Sequence, residues 1–115
     1  MTLTGQNVEV YQGKDETINV TILDSDNNPF NIAGCSFVYV VYKPTTGDIV
    51  ITKTTPSGVM ITDESGGIIE IPILPEDTES LLGNYNHECG IITTDSKKDV
   101  VFTGYFKVIK SKTNI

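Results

Sequence analysis

Between residues 16 and 23 the sequence alternates Ile18, Val20 and Ile22 with Thr17, Asn19 and Thr21. That spacing places the apolar side chains on one face of an extended strand and the polar ones on the other. The period of two recurs over residues 35–43. There Phe37, Tyr39 and Val41 face one way and Val38, Val40 and Tyr42 the other, as in a strand covered on both sides. Further strands read at residues 8–11, 48–54, 59–62, 67–73, 85–93 and 100–109. Polar turns at residues 24–29, 46–48, 56–58, 65–67 and 95–98 separate them. Short strands joined this way predict an all-β chain, a two-sheet sandwich of about seven to nine antiparallel strands.

One stretch, residues 75–82, reads as helical, and for a short turn at most. Pro75 suits a first helical position, Glu76, Asp77 and Glu79 favour the positive end of a helix dipole, and Gly83 provides a stop. The period-two faces predict a core containing Ile18, Val20, Ile22, Phe37, Tyr39, Val41, Ile69, Ile71, Ile91 and Phe106. The chain's 115 residues suit one domain able to bury about two-thirds of its extended surface. Residues 1–110 are expected to form that domain and residues 111–115 a short tail.

Charge narrows the function. Fifteen acids against eight bases give a net charge of −7, and all the bases are Lys. Without the bidentate fork of Arg, and with an isoelectric point near 4.4, nucleic-acid binding is not expected. The longest apolar runs are about five residues, far below the roughly 20 of a membrane-spanning helix. The first ten residues carry one charge, Glu9, and lack the basic start and apolar stretch of a signal peptide. The chain is expected to stay in a cytoplasm or in a particle assembled there.

No residue cluster names a reaction. His87 and Cys89 share one face of a strand with Glu88 on the other, so a Cys/His nucleophile is geometrically open. No pocket or orienting group is indicated for it, and the pair reads as a rim histidine beside a core cysteine. Cys35 and Cys89 are 54 residues apart, within the range of the inter-sheet bridge of immunoglobulin domains. No Trp follows the first cysteine, and a reducing cytoplasm keeps thiols free, so both read as buried free cysteines. Two Cys and one His fall short of a zinc set. Asp24, Asp26 and Asn28 have the opening spacing of a calcium loop, but Pro29 stands where a glycine is needed and Cys35 where a bidentate Glu is needed, which leaves a polar hairpin turn. The sequon at Asn19 and the pair Gly66-Gly67 carry no function. Thus neither metal nor cofactor is expected, and catalytic residues are not assigned. Tyr11, Tyr42, Tyr85 and Tyr105 offer an aromatic platform for a carbohydrate, or packing for core and sheet faces; packing is the simpler reading.

As one ordered pattern the chain resembles a known family. Tyr11-Gln12-Gly13 leads into residues 17–23, followed by the turn of residues 24–30, Asn31-Ile32-Ala33-Gly34, the strand 36–43, residues 66–73, Leu82-Gly83-Asn84-Tyr85 and residues 102–108. The order resembles the N-terminal immunoglobulin-like β-sandwich domain of tailed-phage baseplate upper proteins and related virion structural proteins. In those domains G-D-T, D-x-x-G-x-P, D-L-T-G and G-x-Y segments recur in this order, and this sequence carries modified forms of them. Lys14 is inserted in the first, Asn28 replaces the glycine of the second, and residues 31–34 soften the third. The resemblance implies a non-enzymatic virion protein of the baseplate, neck, tail or capsid surface. It would act through contacts with other virion proteins and copies of itself. A carbohydrate-binding or host-surface adhesion module is the alternative. In that family the domain is usually the docking end of a longer chain, so a chain stopping at Ile115 is expected to be a stand-alone piece. Residues 97–115 hold five Lys and one acid, against three Lys and fourteen acids before them. Lys107, Lys110 and Lys112 are therefore the candidate partner-binding residues, facing an acidic neighbour.

Overall fold

The computed structural model describes residues 6–113. Eight strands run in the order β1 (Val8–Tyr11), β2 (Glu16–Thr21), β3 (Ser36–Tyr42), β4 (Ile49–Thr54), β5 (Met60–Asp63), β6 (Ile68–Ile73), β7 (Gly83–Ile92) and β8 (Lys98–Ile109), with one helical turn, α1 (Pro75–Thr78), before β7. They form two sheets, β1-β8-β7-β3-β4 and β2-β6-β5. All ten residues predicted for the core are buried between them. The all-β sandwich read from the alternation is therefore the fold. Several boundaries shift. The second strand ends at Thr21 rather than at residue 23, because Leu23 turns to bridge Pro29 and close the hairpin. The last two strands each start earlier than expected because they form one long antiparallel ladder.

Three expectations need correction. Not every strand is antiparallel: β1 pairs parallel to β8, Val8 beside Phe106 through Tyr11 beside Ile109. Edge strand β1 runs upward with β8 before the chain crosses to the other sheet, so the sandwich is tied along that side. Second, β3 is not covered on both faces. Val38 is 39% exposed, and Val40 and Tyr42 are half-buried, because two layers leave nothing to lie over the outer face. Third, the tyrosines divide. Tyr85 is core and Tyr42 is on the sheet face, but Tyr11 and Tyr105 are 58% and 43% exposed.

Local chemistry sets the corners. The Asp24 carboxylate accepts from the N–H groups of Asp26 (2.9 Å) and Asn28 (3.0 Å), holding Asn27 at a φ of 64°. The calcium-like spacing is thus a turn capped by its own side chain. At α1 the Asp77 carboxylate accepts the Leu74 N–H at 2.7 Å and pairs with the Lys53 ammonium of β4 at 2.7 Å, tying the turn down across the sandwich. The Tyr85 hydroxyl accepts the Leu82 N–H at 3.4 Å, a tie of the kind made by a tyrosine at the corner before a long strand. Of the expected tail, Thr113 accepts from the Lys14 ammonium through its carbonyl (3.0 Å); residues 114 and 115 lie outside the described residues.

Candidate functional site

His87 sits in the middle of β7, beside Val41 of β3 and Gly104 of β8. It is fully buried, which corrects the rim position expected from sequence: the inward face of a central strand has no rim at mid-length. Its Nδ1 lies 2.8 Å from the Tyr39 hydroxyl and its Nε2 2.5 Å from the Gln6 carbonyl. A carbonyl can only accept, so Nε2 carries the proton and donates to Gln6, while Nδ1 accepts from Tyr39. The ring packs edge-on against Tyr39 and Phe102, with centroids 5.5 and 5.2 Å away, and tilted against Phe106 at 5.9 Å. Burial lowers the imidazole pKa, opposed in part by the Gln6 hydrogen bond. Burial, then the neighbouring Cys89, pushes the Tyr39 phenol well above its usual range. Both ring nitrogens are occupied, and the histidine is a neutral strut joining β7, β3 and the segment before β1.

Gly104 makes this contact possible. A Cβ there would collide with the Gln6 carbonyl, the one that receives the imidazole proton. A glycine inside an aromatic strand marks a close backbone approach, and this signal stands in the sequence as Phe102-Thr103-Gly104-Tyr105-Phe106.

Cys89 shares the inward face with His87 as expected and is fully buried. Burial, with a smaller push from the Glu88 charge, raises its thiol to about 12. A nucleophilic cysteine needs the opposite shift and an exposed thiolate, and the imidazole is already bonded to Tyr39 and Gln6. Cys35 and Cys89 are both free. Cys35 directly precedes Ser36, which pairs with Ile92, while Cys89 pairs with Tyr39. The thiols therefore lie about four residues, roughly 13 Å, apart along neighbouring strands of one sheet, beyond the Cα separation of about 7 Å that a disulfide tolerates.

The three lysines singled out in the sequence separate. Lys107 is exposed on the outer face of the large sheet, between Glu9 of β1 and Asn84 of β7. Lys110 and Lys112 lie past the end of β8 and line a cleft of about 520 Å³ with Tyr11, Ile109 and Lys14. The fold thus adds Lys14, which the charge split had counted on the acidic side, because the β1–β2 turn and the end of β8 meet at one end of the sandwich. Lys97 and Lys98 go to the opposite end, where Lys97 approaches Asp95 at 3.8 Å.

No family model matches the chain, and no curated protein matches it either. Solved structures do. A crystal structure of chicken TCR superposes with a TM-score of 0.63 at 12% identity, covering 97% of this chain and 56% of the other. This chain thus spans little more than half of that structure. CopC from Methylosinus trichosporium OB3b superposes with a TM-score of 0.50 at 12% identity, over 93% of this chain and 87% of the other. The architecture is an immunoglobulin-like β-sandwich, and at such identities the likeness is one of fold.

Proposed function

We propose that this protein is a non-enzymatic structural component of a bacteriophage particle, assembled in the host cytoplasm and working through contacts with other virion proteins and with copies of itself. The observation that carries this reading is the placement of its side chains. His87 and Cys89 are closed inside the core, whereas the outer face of the large sheet and one end of the sandwich present apolar and cationic groups to solvent. A surface of that kind makes contacts. The order of turn motifs along the chain supports a virion over other assemblies. Lys107, Lys110 and Lys112, joined by Lys14, are assigned to meeting an acidic neighbour, where complementary charge sets orientation and encounter rate.

Mass spectrometry of purified particles from the source tests the reading: the chain should be present in several copies, and its absence would overturn the proposal. In particles that contain it, the triple variant K107E/K110E/K112E should fold yet fail to incorporate. Normal incorporation at physiological salt would remove the lysine assignment.

One observation favours a second reading, a host-surface adhesion module that binds acidic glycans. Tyr11 is exposed beside Lys14, Lys110 and Lys112 in the end cleft, an aromatic surface with cations around it. Binding of acidic oligosaccharides that is lost in Y11A would support it, and no binding at millimolar glycan would dismiss it.

A further inference from the structure

The two outer faces of the sandwich differ in how many large apolar side chains they expose. On the three-stranded sheet Thr17, Asn19 and Thr21 of β2 and Glu70 of β6 point outward with the half-buried Ile68 and Pro72, and Met60 is its one exposed large hydrophobic residue among the described residues. On the five-stranded sheet Tyr11, Val38, Ile92 and Tyr105 are all exposed, with Val40 and Tyr42 half-buried between them. Exposed apolar groups gathered on one face mark an interaction surface. Among the described residues the charges near its middle are Glu9, Glu88 and Lys107.

We infer that this face docks on the same face of a second copy of the chain, in a two-fold dimer in which Glu88 of each copy meets Lys107 of the other. The register carries the argument. Tyr105, Asn86 and Tyr42 lie in one row across β8, β7 and β3. Glu88 stands two residues to one side of that row on β7, and Lys107 two residues to the other side on β8, about 7 Å each way. A two-fold axis lying in the plane of the face, near the row and slightly inclined to it, therefore brings each carboxylate opposite the ammonium of the second copy. The pair forms twice, as an isologous contact requires. The same operation lays Val38 opposite Ile109 of the second copy. It lays the exposed Tyr11 ring over Gly90 of the second copy, where no side chain stands. The five strands hold 39 residues, which at about 3.3 Å rise and 4.8 Å spacing give a footprint of roughly 600 Å² per partner, and so above the roughly 1,000 Å² in total that a specific interface needs.

A partner of different sequence would have no reason to find opposite charges placed symmetrically about the Tyr105–Asn86–Tyr42 row. Self-docking also suits a chain of net charge −7, because the meeting surfaces hold two acids and one base near their centre and repel little. The inference deepens the multi-copy reading above and rests on it, but the two can fail separately. Particle composition decides whether the chain is a virion protein; solution mass decides whether this face joins two copies.

Sedimentation equilibrium of the full chain at about 1 to 100 µM is the test, with far-UV circular dichroism to establish that each variant is folded. Wild type should reach twice 12.5 kDa, with a dissociation constant that weakens as salt rises. E88K and K107E should each weaken it by about tenfold or more, and E88K/K107E together should restore it, because the swap recreates both pairs with reversed sign. V38E should be a folded monomer whatever the charges. A wild type that stays monomeric throughout, a dimer indifferent to V38E, or a double variant as weak as the single ones would each overturn the inference.

Discussion

Replacing His87 with Phe keeps an aromatic ring, of somewhat larger volume, against Tyr39, Phe102 and Phe106 while both hydrogen bonds of the buried imidazole are lost. Among the described residues no buried side-chain nitrogen or oxygen lacks a partner, so the variant would orphan the fully buried Tyr39 hydroxyl. An unsatisfied buried group costs about 1 to 3 kcal/mol. The Gln6 carbonyl belongs to an exposed residue and can turn to water, so the total should be about 2 kcal/mol. Tyr39→Phe removes the same bond from the other side and orphans Nδ1 instead. The double variant Y39F/H87F leaves neither group unpaired and should be more stable than the two single losses sum to, by about 1 kcal/mol of coupling. A second signature is pH. The native imidazole pKa is lowered by burial, so the neutral form is the one that folding favours. That stability is fully present above the unfolded value of 6.5 and is lost as pH falls below it towards the lowered native value. From pH 7 to pH 5 a native state that takes up no proton would lose at most about 2 kcal/mol through this one group. Urea unfolding followed by circular dichroism at pH 5, 6 and 7 reads both effects. If wild type and H87F gave parallel pH profiles, the histidine would not be held neutral and the strut reading would be wrong.

Gly104→Ala should lower stability by about 1 to 3 kcal/mol in thermal or urea unfolding, because the new methyl displaces the Gln6 carbonyl from His87. Gly90→Ala in the next strand should be nearly silent, since its Cβ would meet only ordinary contacts, the nearest at 3.6 Å. Asp77→Ala strands the Lys53 ammonium, whose side chain is 10% exposed, and frees the Leu74 N–H, so a loss of about 3 kcal/mol is expected; a loss under about 0.5 kcal/mol would mean that solvent already screens the pair. With a thiol pushed up to about 12, Cys89 should resist iodoacetamide at pH 8 in the native protein and react once urea unfolds it. Fast native labelling mapped to Cys89 by peptide mass would contradict the burial.

How much of this was legible depends on what kind of information each feature uses. Alternation along a single strand is local, and the inward residues from Ile18 to Phe106 could be read from it because a period of two has one structural meaning. Pairing between strands is not local. Nothing in Val8–Tyr11 says that it runs parallel to Lys98–Ile109, nor that Gln6 will reach an imidazole 81 residues away. Lys14 looked like part of an acidic stretch because charge was counted along the chain, while the cleft gathers it with Lys110 and Lys112 across space. The pairing of Lys53 with Asp77 was hidden for the same reason. Gly104 is different, since its signal was local and present; a glycine flanked by aromatic residues in a strand asks what backbone approaches it.

The sequence of β3 predicts a strand covered on both faces, and its departure from that bears on function. Its inward residues Phe37, Tyr39 and Val41 are fully buried, while Val38, Val40 and Tyr42 on the other side carry the composition of a buried face without a cover. The described residues form two layers, and the three-stranded sheet covers only one side of the larger one. The polar outer side of β2 shows that an exposed face can be built here from Thr and Asn, so the apolar one is not forced by strand propensity alone. A strand written for two covers but given one among the described residues is the feature on which the docking proposal rests. The opposed placement of Glu88 and Lys107 about the Tyr105–Asn86–Tyr42 row is why the cover we propose is a copy of the same chain.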